Sequence, residues 1–208
     1  MKKVLLLAIV SLFSLHAFAA GPVSFGVQAT GANINVEAPL KEVYGFGFGG
    51  GIHLDINLPL ILAIRVQGDF VTFSPDKGKY QTLLSQTAAQ LGYQTNPADF
   101  SVEGGRINII SVNVNGKLSP LPLPLLSPYF TAGGGMANVG TTDLNVKYQG
   151  AAFPGGGSSS KTNASANLGV GVDLDLIALK LYLEARYTWI FSSGATSTYV
   201  PVSLGVTF

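Results

Sequence analysis

What most constrains this chain is an alternation of apolar with polar or small residues, repeated in segments of about ten residues. A period of two places successive side chains on opposite faces of a β-strand. At the C-terminus Val200, Val202, Leu204, Val206 and Phe208 alternate with Tyr199, Pro201, Ser203, Gly205 and Thr207. Before that, Leu181, Leu183, Ala185, Tyr187, Trp189 and Phe191 alternate with Lys180, Tyr182, Glu184, Arg186 and Thr188. Ala166, Leu168, Val170, Val172, Leu174 and Leu176 oppose Asn167, Gly169, Gly171, Asp173 and Asp175. About ten residues is the length a tilted strand needs to cross a bilayer.

The earlier chain follows the same pattern. From Tyr44 to Ile56, Tyr44, Phe46, Phe48, Ile52, Leu54 and Ile56 face one way, with glycines, His53 and Asp55 on the other side. From Leu60 to Phe73, Leu62, Ile64, Val66 and Phe70 oppose Arg65, Gln67 and Asp69. From Arg106 to Lys117, Ile110, Val112 and Val114 oppose Ser111, Asn113 and Asn115. A first strand from Val23 to about Val36 changes phase near Gly31, where a bulge is expected. The segment Tyr129 to Val139 is too glycine-rich for its faces to be assigned. The count is eight strands.

Composition says where the apolar faces go. The chain is 47% apolar and only 11% charged, against about a quarter charged in soluble domains. After the N-terminus no apolar run reaches the ~20 residues of a membrane helix. The expected fold is therefore all-β: an eight-stranded antiparallel up-and-down transmembrane β-barrel with its apolar face in lipid. It must close, because an unpaired backbone amide finds no water in hydrocarbon. Eight strands leave an interior wide enough only for side chains. The inward polar set is His53, Asp55, Arg65, Asp69, Asp173, Asp175, Glu184 and Arg186, whose mixed charges are expected to pair and plug the lumen.

The connections alternate in length. Asn57-Leu58-Pro59 and Ile177-Ala178-Leu179 are short, and Ser119 to Ser127 is modest, whereas Ser74 to Gly104 and Thr141 to Thr162 are long. Short periplasmic turns and long outer loops are characteristic of outer-membrane barrels, and an even strand number returns both termini to the periplasm. Within the first long loop, Tyr80, Leu83, Leu84, Thr87 and Leu91 fall at helical spacing, after Asp76 and before Gly92. This predicts a short helix that caps the mouth, or alternatively touches lipopolysaccharide or a partner. Outward aromatics are expected as interfacial girdles: Phe25 (with Phe208) at the periplasmic rim, and Tyr44, Phe46, Phe70, Tyr187, Trp189 and Phe191 toward the outer rim.

The N-terminus reads as a signal peptide. Lys2 and Lys3 precede the apolar stretch Val4 to Leu15, and Ala17-Phe18-Ala19 offers small residues where a signal peptidase reads. Cleavage is placed after Ala19, with Ala20 as the second choice, giving a leader over residues 1–19 and a barrel domain over 20–208. An N-terminal anchor helix is the alternative, disfavoured by the shortness of the run. The precursor has a net charge of +1 and no basic block, so nucleic acid has no electrostatic footprint. The absence of cysteine excludes disulfides, thiolate metal sites and a lipobox.

The segment Val202-Ser203-Leu204-Gly205-Val206-Thr207-Phe208, an alternating strand with a terminal aromatic, resembles the end of outer-membrane proteins of the OmpA-like transmembrane domain and OmpX group. The resemblance implies recognition by the barrel-assembly machinery through Val206 and Phe208. Ser203 stands where the family pattern prefers glycine.

Candidate chemistry is thin. Gly45-Phe46-Gly47-Phe48-Gly49-Gly50 matches a dinucleotide fingerprint but lies inside a strand pattern rather than before a helix. Ser158 and Lys161 match a Ser-x-x-Lys spacing in a Gly/Ser tract that offers no helix to hold them. Asp173 and Asp175 could hold a cation, yet Lys180 or Arg186 are nearer expectations as partners. His53, the only histidine after the leader, faces inward far from outer-leaflet lipid. No cofactor, metal site or catalytic residue is expected. The reading is a structural or interaction barrel that displays surface loops. A narrow solute channel and, less favoured, a lipid A-modifying enzyme are alternatives, and a soluble lipocalin-like barrel is the structural competitor.

Overall fold

The computed structural model describes residues 22–35, 43–58, 61–121, 123, 125–153, 156–176, 179–192 and 195–208. The leader with Ala17 and Ala19, and the turn residues Pro59, Ile177 and Ala178, lie outside the described residues. The barrel strands are β1 (Val23–Asn35), β2 (Phe46–Asn57), β3 (Leu62–Phe73), β5 (Ile107–Leu118), β6 (Leu126–Thr141), β9 (Ser159–Asp175), β10 (Lys180–Ser192) and β11 (Ala195–Thr207). They form a closed barrel in the order β1-β11-β10-β9-β6-β5-β3-β2. Each strand pairs antiparallel with its neighbours, and β1 closes on β11 from Gly26↔Thr207 to Asn35↔Thr198. The sequence expectation of an eight-stranded up-and-down barrel is met.

The geometry follows from the register. Traced through its paired neighbours, Phe25 leads to Leu54, Val66, Val114, Gly134, Ala166, Trp189 and Thr198, and Thr198 pairs with Asn35. The circuit returns to β1 ten residues beyond its start, a shear of ten over eight strands. With ordinary strand spacings this sets a tilt of about 40° and a backbone radius of about 8 Å. An even shear also keeps every outward residue outward around the circuit. At that radius, side chains from opposite walls meet.

Three findings revise the sequence expectations. First, β1 has no bulge at Gly31: its pairing with β2 and with β11 runs unbroken, and Ala32 points inward in phase with Gln28 and Thr30. The inward face merely turns apolar there, which mimics a phase change. Second, both long loops contain strands. Phe100–Gly104 (β4), Leu144–Tyr148 (β7) and Ala151–Phe153 (β8) make a separate sheet in the order β4-β7-β8. Runs of three to five residues carry too little periodicity to register. Third, β6 and β9 stay paired up to Thr141↔Ser159, so the wall occupies part of what reads as loop.

The expected loop helix is α1 (Lys77–Gln90). The Asp76 carboxylate accepts from Lys79 N–H at 3.1 Å and caps its N-terminus. At the other end Gly92 (φ +87°) donates to Ala89 and Tyr93 donates to Ala88, a Schellman closure that needs a left-handed residue. The packed face overlaps the expected one in part. Ser85 is buried, Tyr80, Gln81, Leu83, Leu84 and Ala88 are half-buried, and Thr87 and Leu91 (72%) are exposed. Side-chain bonds fix this face: Gln81 donates to Phe100 O at 2.5 Å, and Ser85 donates to Thr95 O at 2.8 Å.

Candidate functional site

The lumen is filled in two tiers. The lower tier, toward the termini, is ionic. Arg65 of β3 forms a bidentate pair with Asp55 of β2 at 2.7 and 2.8 Å and reaches Glu184 of β10 at 3.4 Å. Arg186 contacts Glu184 at 3.0 Å and Asp69 at 3.2 Å. Glu184 thus joins two guanidinium groups across the barrel. Lys117 of β5 pairs with Asp173 of β9 at 2.7 Å, and Lys180 bridges Asp173 and Asp175 at 3.7 and 3.2 Å. Asp175 and Lys180 are half-buried at the lower mouth, where the walls enclose a vestibule of about 300 Å³. Buried charges are tolerable when each is paired and hydrogen-bonded, as these are.

His53 belongs to this tier. It is 2% exposed, its Nε2 lies 3.0 Å from the Thr207 hydroxyl, and its Nδ1 lies 3.3 Å from the Tyr182 hydroxyl. Gln28 donates to Asp69 at 2.5 Å and accepts from the Tyr182 hydroxyl. The Arg65 guanidinium also stands 4.8 Å above the Tyr182 ring, and Lys117 Nζ stands 3.9 Å above that of Tyr129.

Glycines make room for these groups. Tyr182 pairs across the strands with Gly205, and Tyr129 with Gly171. A Cβ on either glycine would collide with the tyrosine ring. Gly26 stands in the same relation to His53, and Gly169 to Arg186. The bulky side chain lies across the bare backbone of its neighbour, so the space the glycines leave is occupied.

The upper tier is apolar. Ala32, Val71, Phe73, Ile107, Ile109, Ala137, Ile190 and Tyr199 form one buried cluster, with Ile34, Tyr44 and Val139 packed against it. On β1, β3 and β5 it lies beyond the last polar inward residues Thr30, Asp69 and Ser111, and on β10 Ile190 follows Thr188. On β9 the buried Asn163 sits beside Ala137 as a polar member of this level. Tyr44 therefore does not join the outward girdle. It precedes β2, bridges to Pro75, and donates its hydroxyl to Gly105 O at 2.6 Å. Its ring is sheltered by the cluster while its polar tip keeps a partner.

The other aromatics lie on the outside. Phe46, Phe70, Tyr187 and Phe191 are exposed toward the loop end of their strands, and Trp189 is half-buried with its ring 4.8 Å from that of Tyr187. Phe25 is half-buried near the opposite end. Between them runs an exposed apolar belt that includes Ile52, Val112, Val114, Leu168, Val170 and Leu204. Phe208 departs from the expected lipid-facing position: it is 8% exposed, and its N–H and C=O both bond to Phe25, at 2.7 and 3.2 Å. A rim position borders water as well as lipid, so burying the ring there removes apolar area from solvent. Val206 is half-buried.

Beyond the barrel end opposite the termini, α1 and the β4-β7-β8 sheet form a platform. Phe100 packs 5.1 Å from Tyr148, and Tyr148 lies 6.5 Å from Phe153, centroid to centroid. Gly47, of the fingerprint-like run, instead accommodates the Phe73 ring within β2. Among the described residues no cluster of three or more His, Cys, Asp or Glu could hold a metal ion.

Sequence reasoning left out Lys117, Gln28 and Tyr129 from the lower tier and the whole upper tier. The signal for the upper tier lies in Phe70-Val71, Ile109-Ile110 and Trp189-Ile190-Phe191. Where both faces are apolar the alternation vanishes, and such runs mark the height at which the lumen becomes greasy.

The family model for the outer membrane protein beta-barrel domain matches residues 5–208. Among solved structures, Neisserial surface protein A is similar at a TM-score of 0.50 and 16% identity, over 90% of this chain and 98% of that one. The N-terminal barrel of Pseudomonas aeruginosa OprF is similar at 0.46 and 13%, over 89% and 97%. Ail, the attachment invasion locus protein of Yersinia pestis, is similar at 0.45 and 12%, over 89% and 97%. Comparison with curated protein sequences gives no match.

Proposed function

Given that the chain belongs to the outer membrane protein β-barrel family, we propose that it is a structural and interaction protein: a plugged, non-conducting barrel that holds an outer platform at the cell surface. The observation that carries this reading is the two-tier filling of the lumen. An ion entering from the termini side would meet the paired Arg65–Asp55–Glu184–Arg186 network and then the dry cluster around Phe73 and Ile190. An apolar constriction of that kind excludes hydrated ions by dewetting.

In this reading both termini face the periplasm, since β1 and β11 begin and end at the rim opposite the platform. Outer-leaflet lipid and lipopolysaccharide surround the belt, and the barrel-assembly machinery reads Val206 and Phe208 during biogenesis. The reading includes no catalytic step, because His53 is sealed within the lower tier, where no substrate reaches it. His53→Ala should leave the lipid A of the host membrane chemically unchanged, and a changed lipid A pattern would restore the enzyme reading.

The narrow-channel alternative would need the inward glycines of β2 to leave open space, but the Phe73 ring lies over Gly47, and Asp69 and Gln28 reach over Gly51. Planar-bilayer recording of the refolded chain decides between the two. A silent membrane is expected; stable, ion-selective steps would overturn the plug.

A further inference from the structure

On the wall formed by β3, β5 and β6, the outward columns change from apolar to polar at one level. Phe70 gives way to Thr72 on β3, Ile110 to Asn108 on β5, and Met136 to Asn138 on β6. Thr72 donates to Asn108 at 2.8 Å, so the level is stitched across strands. One pleat repeat higher, the outward positions are Ser74 and Arg106, joined by Thr142. Arg106 N–H donates to the Thr142 hydroxyl oxygen and Thr142 N–H donates to Arg106 O, both at 2.9 Å. The β5–β6 ladder thus extends past its strands and holds Arg106 in place.

Ser74, Arg106 and Thr142, together with Lys77 and Asp143, line a cavity of about 330 Å³. Two residues along a strand tilted by about 40° rise about 5 Å along the barrel axis. The cavity therefore opens on the outer surface just above the apolar belt, at the depth of lipid headgroups. Neither Lys77 nor Arg106 forms an ion pair with a described carboxylate. Asp143, the acid in the lining, already accepts Ser158 N–H at 2.5 Å. Asp76 occupies the N-terminus of α1, so any anion here must be held by side chains.

We propose that this cavity binds the phosphate of an anionic outer-leaflet lipid headgroup, with Lys77 and Arg106 as its charged donors. The Thr142 hydroxyl, which accepts from Arg106 N–H, keeps its proton to donate. Guanidinium and ammonium bonds to phosphate are among the stronger hydrogen bonds. This deepens the lipid contact proposed above by giving it a site, and it can fail while the plugged barrel stands.

The test uses the full refolded chain in neutral detergent, with diphosphorylated lipid A and the same lipid stripped of its phosphates as probes. Native mass spectrometry counts retained lipid. Wild type should retain the phosphorylated probe, and the double variant Lys77→Gln/Arg106→Gln should lose about tenfold or more in retention. Lys147→Gln, a cation on the β4-β7-β8 sheet, should retain it as wild type does. Equal retention of the dephosphorylated probe by wild type, or undiminished retention by the double variant, overturns the site. Displacement of the lipid by millimolar inorganic phosphate would also overturn it, in favour of a free-anion site. The wild-type comparison of the two probes stands even if the variants fail to fold.

Discussion

Tyr182 of β10 lies across Gly205, its direct partner on β11, so closely that a Cβ at 205 would meet the ring. The phenol then reaches Gln28 on β1, beyond β11, and His53 on β2. A side chain thereby spans the barrel seam at the level where the chain closes on itself. Gly205→Val should displace the ring and cost about 1–3 kcal/mol through overpacking. The loss should shrink in Tyr182→Ala/Gly205→Val, where the two changes relieve one another. Equilibrium urea unfolding in micelles provides the double-mutant cycle, and fully additive losses would count against the contact.

Arg65 is the hub of the lower tier. Arg65→Met would leave Asp55 buried without its cation and Glu184 with Arg186 alone, and should cost about 3–5 kcal/mol. Replacing all three by apolar residues of similar volume should recover most of that loss, because the desolvation penalty disappears with the charges. The two midpoints in urea, compared with wild type, check both halves.

The upper tier makes a different demand. Phe73 is fully buried, paired with Ile107 in the same cluster. Phe73→Ala should destabilise the barrel by about 3–5 kcal/mol through cavity formation. Phe46→Ala, on the lipid-exposed face, should cost less, since lipid can fill the gap. Unfolding midpoints in the same detergent rank the two.

The platform should be separable from the wall. Replacing residues 143–157 with a short polar linker keeps the pairing of β6 with β9 up to Thr141 and Ser159. Such a variant should migrate as a compact unboiled band that shifts on heating, as the intact barrel should. A band that never shifts would mean that the β4-β7-β8 sheet is part of the folding unit.

The lipid-facing columns were legible because one face of each strand meets hydrocarbon and the other meets polar groups. Val112 and Asn113 therefore announce opposite fates in the sequence. The ionic tier was legible in its members but not in its partners. Arg186 turns to Asp69 and Glu184, while Asp173 takes Lys117 from a strand two places away, because register and shear decide which charges meet. The upper tier was opaque because inward Ile109 and outward Ile110 carry the same chemistry. The platform strands were too short to show a period, and Tyr44 was misplaced because its alternation fits β2 although the strand begins only at Phe46.

The seam between β1 and β11 also sets an order of events. Its residues come from opposite ends of the described chain, and its final link is the reciprocal bonding of Phe25 with Phe208. Until β1 and β11 pair, both strands present bare amides that hydrocarbon cannot satisfy. Bringing such distant segments together is also an entropically slow step. Insertion is therefore gated by the pairing of β1 with β11: a chain in which that pairing fails is a sheet with two open margins, prone to pairing with another copy of itself instead of with its own beginning.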